Sequence, residues 1–441
     1  MNRPLGAAWF LHQESRALLA RLARVKPFMV QETMVPAANL APATQIAIER
    51  FLQEGRGELR TAIRRFLRWL EGPGRRARPA AMQRRYTILK VRFTDILTQF
   101  DLFADAITQR SEQEIGLWLS GLDVVAADGL ELVEGDYDMP PVICYLDRGA
   151  GAAIRRARTR LPGDNENPVA IVRVPRERMV GHGVASSLMH EVGHQGAALL
   201  DLVPSLRAEI GERQARAADP GQRRAWRCWG TWISEIVADF WSVAKVGVGS
   251  TLGLIAVVSL PPPFVFRFTL ADPHPFPWIR VMLSATIGER VYPDRQWREI
   301  RELWRRLYPV ERQSPAMRTI AGDLERSMPA LAELIADHRP AKLRGLSLAR
   351  AVRSPDRAAR SLRSLHQQWQ ADPATGRDAP PALALAVLGQ ARWDGLITPE
   401  QESRQVGQLL TDWAVRSTYE AAQAAVDTQL TDAAPLAVVA E

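Results

Sequence analysis

The chain has 441 residues, 46% hydrophobic and 24% charged, enough apolar content for a large core and too much for a chain disordered along its length. Its 57 basic and 49 acidic residues leave a formal net charge of +8, which signals nucleic acid or an anionic surface only where the charges gather in one place. Two cysteines, Cys144 and Cys228, form no CxxC pair, which excludes a disulfide framework or a cysteine-based zinc site and reads as two core residues.

The N-terminal stretch "MNRPLGAAWFLHQESRALLARLARVK" lacks a long apolar core and a small-residue cleavage site, so no signal peptide is expected. A cytoplasmic protein is the expectation, with export by a dedicated secretion machine left open. Apolar residues at helical spacing predict helices over "IAIERFLQEGRGELRTAIRRFLRWLEG" and "YTILKVRFTDILTQFDLFADAITQRS". Between them "GPGRRARPAAMQRR" (72–85) reads as a break and exposed linker. The basic residues are almost all arginine, with lysine only at Lys26, Lys90, Lys245 and Lys342. They are read as a compositional bias spread over amphipathic segments, so no specific nucleic-acid partner is expected.

Turn residues multiply after residue 122, and two short strands are predicted, Val142–Leu146 and Val169–Val174. Pro168 and Pro175 flank the second, which suggests an edge strand. "GAGAAIRRARTR" (149–160) lacks the third glycine of a dinucleotide fingerprint and is rejected as one. A helix is then expected over about Val184–Leu202, closed by Pro204, with His182 in its entry turn. A tryptophan-rich helix follows, "AWRCWGTWISEIVADFWSVAKVG", in which Trp226, Trp229 and Trp232 read as core. The apolar run 246–260 is 15 residues long, short of the ~20 that a membrane span needs. It is expected to be a buried helix, and no stable span is expected. From about 295 to the end the pattern is helical again.

The chemistry centres on "SLMHEVGHQG" (187–196). His190 and His194 are i and i+4, so on a helix they share one face, where two imidazole nitrogens can hold one Zn²⁺. Glu191 then points beside the metal, where a general base for water belongs. Catalytic zinc takes a third protein ligand. On the later helix "WISEIVADFW", Glu235 and Asp239 again share a face. Glu209 and Glu212 are weaker rivals for the third ligand, because they lie in an arginine-rich stretch with an exposed composition.

In these two motifs the chain resembles the gluzincin metallopeptidases, in which HExxH is followed by ExxxD on a later helix. The resemblance implies His190, His194 and Glu235 as zinc ligands, Glu191 as general base, and Asp239 as the carboxylate that orients a ligand histidine, His190 in the first instance. A metzincin would need a histidine at position 200, which is Leu200. "DPHPFPWIRV" further resembles the His-Pro…Arg element of the CAAX-prenyl-protease-like branch. That match gives His274 as a donor to the developing oxyanion and Arg280 as a partner for Asp239 or for substrate. A His-Pro turn that merely opens a helix at Pro277 is the alternative. The resemblance covers only about 140–295, and the multiple membrane spans of that branch are absent.

The expectation is an α+β, predominantly helical chain. A zincin-like core (126–295), with a small sheet and the HExxH helix, lies between helical regions 1–125 and 296–441. The expected function is zinc-dependent hydrolysis of a protein or peptide substrate, held as an added strand along an edge at Val169–Val174. The alternatives are a non-catalytic protein stabilised by zinc, or, less favoured, a nucleic-acid-binding protein that uses its basic helical flanks.

Overall fold

A computed structural model of the protein describes residues 6–432, apart from 27, 30–31, 150, 161–165 and 180. Helix dominates. In chain order come α1 (Ala7–Arg24), α2 (Pro42–Glu71), α3 (Pro79–Thr108) and α4 (Gln113–Leu130), then strands β1 (Val142–Asp147), β2 (Ala153–Arg155) and β3 (Ala170–Pro175). They are followed by α5 (His182–Leu199), α6 (Leu202–Arg216), α7 (Pro220–Val246), α8 (Val248–Val258), the single turn α9 (Pro262–Val265), α10 (Pro277–Val291), α11 (Arg295–Leu307) and α12 (Pro315–Asp337). The last are α13 (Leu348–Val352), α14 (Ala359–Ala371), the turn α15 (Ala374–Arg377), α16 (Pro381–Trp393) and α17 (Pro399–Asp432). An α+β, mostly helical chain is what the pattern of periodicities calls for.

The three strands form one sheet in the order β1-β3-β2. The segment expected at an edge is therefore the central strand, and Ala170, Ile171, Val172 and Val174 are buried. The prolines misled for a physical reason. Pro168 precedes the strand and Pro175 ends it, so neither removes a ladder donor from its interior. With β1 on one side and the three-residue β2 on the other, β3 is the central strand and not the edge expected for strand addition along Val169–Val174.

Contacts divide the chain into two compact units, residues 1–120 with 155–171 and 415–441, and residues 121–154 with 172–414. In the first, α1, α2 and α3 pack side by side. Their shared core includes Leu18, Leu59, Ile63, Phe66 and Phe93. The 72–85 stretch is a tight turn rather than a linker, a 3₁₀ helix at Pro73–Arg76 followed directly by α3 from Pro79. Gly74 permits it, because a Cβ there would meet the Trp69 ring at 2.5 Å.

The second unit is built around α7. Asp219 caps it by accepting from the Gln222 N–H at 2.8 Å, and Pro220 occupies its first position. Residues 235–246 of α7 are all buried, so this is a core helix, with Trp229, Trp232 and Trp241 fully enclosed. Helix α5 packs on α7 and α8, and α6 packs on α7. Close approach of α5 to α7 is set by Gly193, where a Cβ would lie 2.9 Å from Ala238 Cα. The helix penalty of a mid-helix glycine, up to about 1 kcal/mol, is offset by that approach. Pro204 does not close α5. It lies in the first turn of α6, where proline costs no hydrogen bond, and the chain turns at Asp201 in the left-handed region (φ 52°). Of the apolar run 246–260, Val248–Val258 form α8, buried along its first half and partly exposed towards its end, with Leu260 beyond it exposed; no helix among the described residues is long and apolar enough to cross a membrane. Cys144 and Cys228 are buried and form no disulfide.

Candidate metal centre

Helix α5 carries His190, Glu191 and His194, and α7 carries Glu235 and Asp239. The close packing of the two helices turns both i, i+4 faces toward each other. One ligand atom each from His190, His194 and Glu235 lies within 4.8 Å of the other two. The His190 and His194 rings meet edge to face at 4.8 Å between centroids. Glu235 spans both, with Oε2 3.2 Å from His190 Nε2 and Oε1 3.5 Å from His194 Nε2.

The other nitrogen of His190, Nδ1, lies 2.8 Å from Asp239 Oδ1. A carboxylate there fixes the proton on Nδ1 and leaves Nε2 facing Glu235, the orientation that a metal-binding imidazole requires. Asp239 is itself held by Arg280 from α10, which donates Nε–H to Oδ2 at 2.7 Å and Nη2–H to Oδ1 at 2.8 Å. This bidentate fork is the strong form of the pair. Helix α10 does begin at Pro277, after the His-Pro turn, and the same turn delivers His274. Asp272 accepts from both the His274 backbone N–H (3.0 Å) and Nδ1 (2.9 Å), leaving His274 Nε2 3.4 Å from Glu235 Oε2. His274 is half exposed.

Burial governs the electrostatics. Glu191, Glu235 and Asp239 are each less than a tenth exposed, and stripping water from such groups costs several kcal/mol apiece unless charge answers charge. Burial alone would lower the His190 pKa, but its hydrogen bonds to Asp239 and Glu235 outweigh this and hold it at about 9. Burial would raise Asp239, yet the Arg280 guanidinium and the His190 ring bring it down to about 2. Glu235 is likewise lowered, against its burial, by its contacts with the two imidazoles. Glu191 goes the other way. Burial raises it above the ordinary carboxylate value, against the pull of both histidines. The proton held on His190 offsets carboxylate charge. A divalent cation would supply the same positive charge at the same place.

No protein-family model, curated protein or solved structure matches this chain.

A cavity of about 210 Å³ opens beside the cluster. Its wall includes His190, Glu191, Asp239, His274 and Arg280. His194 and Glu235 do not contribute to it. The remaining wall went unnoticed in the sequence. It comprises Ser186, Ser187, Ser242 and Ser250, together with Arg178, Leu254, Val257 and the Gly151–Ala152 segment beside β2. A signal existed for two of these, since Ser186 and Ser187 precede His190 by four and three residues and so share its helix face. The rival carboxylates are engaged elsewhere, Glu209 with His338 Nδ1 at 2.6 Å and Glu212 with Arg216 at 3.0 Å. His182 opens α5 and pairs with the buried Glu402 at 3.1 Å.

Proposed function

We propose that the protein is a metal-dependent peptidase of the gluzincin type, with Zn²⁺ held by His190, His194 and Glu235 and with Glu191 as general base. The observation that carries the reading is the donor set. Two imidazoles and one carboxylate converge within 4.8 Å, and a buried Asp239–Arg280 pair backs one imidazole. Nitrogen and carboxylate donors in this ratio suit zinc, and three protein ligands are the number that leaves a position open for chemistry. A zinc bound there would act as a Lewis acid toward a substrate carbonyl and toward water.

The chain's own residues divide the remaining work. Glu191, on the cavity wall and with a raised proton affinity, takes a proton from the attacking water and returns it to the leaving amine. His274, with Nδ1–H held by Asp272, can donate a hydrogen bond from Nε2 to the carbonyl oxygen as it gains negative charge when both of its ring nitrogens carry a proton. Arg280 keeps Asp239 ionised and in place, and Asp239 keeps His190 in the tautomer that frees Nε2.

Metal analysis tests the reading directly. Wild-type protein should carry about one zinc per chain, and His190→Ala and Glu235→Ala should each lose it. Zinc retained in Glu235→Ala, or absent from the wild type after equilibration with the ion, would sink the assignment.

A further inference from the structure

The first unit gathers a charged surface that has no part in the metal centre. Between residues 64 and 85 there are eight arginines and one acid, Glu71. They fall on the last two turns of α2, the 3₁₀ turn Pro73–Arg76 and the first turns of α3. Arg68, Arg75, Arg76 and Arg78 are exposed. None of the eight takes part in an ion pair among the described residues, and Arg85 lies over the Trp69 ring at 4.2 Å. The N-terminal end of α1 is brought to the same place. His12 bonds Glu71 at 3.0 Å and Glu14 accepts from the Tyr86 hydroxyl at 3.5 Å. These contacts occupy the two nearby acids. One turn before His12 stand Trp9 and Phe10, 49% and 52% exposed.

Unpaired arginines that converge on one end of a bundle create a local positive potential far above that of a net +8 spread over 441 residues. Arginine alone would suit any polyanion. The exposed aromatic pair narrows the choice. Bulky apolar rings left in water are unfavourable, and beside arginines they match the headgroup boundary of a bilayer, where aromatic side chains settle and basic side chains meet phosphate. We propose that this end of the α1–α3 bundle binds the surface of an anionic phospholipid bilayer, with Trp9 and Phe10 entering the interface and the arginines of 64–85 engaging the headgroups. No span is involved; the attachment is peripheral.

Sedimentation of the full chain with vesicles is the test. The protein should bind phosphatidylglycerol-containing vesicles at least roughly tenfold more tightly than pure phosphatidylcholine vesicles. The preference should fade between about 0.1 and about 0.5 M salt as screening sets in. Arg75→Glu/Arg76→Glu/Arg78→Glu, confined to the exposed turn region, should weaken binding roughly a hundredfold. Trp9→Ser/Phe10→Ser should weaken it roughly tenfold and leave the salt dependence in place. The far-ultraviolet circular dichroism of both variants should match the wild type. Equal binding to both vesicle types, or wild-type binding by the triple-arginine variant, overturns the proposal. So does tight binding of a DNA duplex that needs the arginines but not Trp9 and Phe10, which would make the surface a nucleic-acid site.

Discussion

Glu235 and Asp239 of α7 are less than a tenth exposed, and each lies within 4 Å of histidine and arginine nitrogens on α5 and α10. The arginines at the end of the α1–α3 bundle are exposed and take part in no ion pair among the described residues. The same residue types thus obey opposite rules in the two regions. Where water is excluded, an unmatched charge costs several kcal/mol, so the network must close on itself. Where water remains, like charges can accumulate at little cost and act outward, on a partner. The proposed chemistry rests on charge that is paired and buried, and the proposed surface contact on charge that is unpaired and exposed.

Substitutions can break that contrast or sharpen it. The largest effect belongs to Glu191→Gln, which keeps shape and burial but removes the base. Peptide hydrolysis should fall by roughly 10²–10⁴-fold with zinc content unchanged, measured as initial rates beside metal analysis. Normal turnover by this variant would remove Glu191 from the mechanism. Next comes Arg280→Met, which leaves Asp239 buried with one partner fewer. Urea unfolding of the chelator-treated protein should show a loss of about 3 kcal/mol or more. A negligible change would mean that the pair is less desolvated than its burial implies.

Lys245, at the end of α7, gives a smaller and pH-dependent effect. Burial lowers its pKa to about 8, against the pull of Asp128, while its ammonium donates to the Glu131 carbonyl. Below pH 8 folded and unfolded chains both hold the proton, and folding bears the cost of burying the charge. Above about 8 the folded chain releases it while the unfolded chain keeps it up to about 10.4, so stability rises with pH across that window. Relative to Lys245→Met, the wild type should gain about 2 kcal/mol between pH 7.5 and 9.5. Other groups with raised values, Cys228, His190, Tyr137 and Tyr292, act in the opposite direction in both proteins, which is why the difference and not the wild-type curve alone is read. A flat difference would show that Lys245 reaches water. The smallest effect is at the exposed pair Arg92–Glu58, 2.8 Å apart. Arg92→Gln should cost under about 1 kcal/mol in thermal unfolding, and a larger loss would break the rule that exposed charge is cheap to leave unpaired.

Much of the site was legible in the sequence because its signals are local. His190 with His194 and Glu235 with Asp239 are i, i+4 pairs, and helical geometry alone puts each pair on one face. Leu200 was enough to exclude one ligand pattern. The strands at 142–147 and 170–175 were readable from composition within a residue or two. What failed was whatever depended on neighbours. The prolines around β3 could not reveal that β1 and β2 would pair on either side of it. Pro204 stops a helix or starts one depending on where the chain turns, and the turn came at Asp201. The 72–85 stretch reads as a linker until the Trp69 ring is seen to fill the space beside Gly74.

The sequence by itself determined which residues share a helix face and which chemical groups those faces carry, because a period of 3.6 residues is a property of the backbone alone. Only the tertiary structure decided that the α5 and α7 faces meet, through the missing Cβ of Gly193 against Ala238. It also decided that Arg280, forty-one residues after Asp239, completes a buried fork, and that Trp9 and Phe10 join the arginines of 64–85 at one end of a bundle. Packing between elements depends on shape and burial summed over distant segments, and no local period in the chain encodes it.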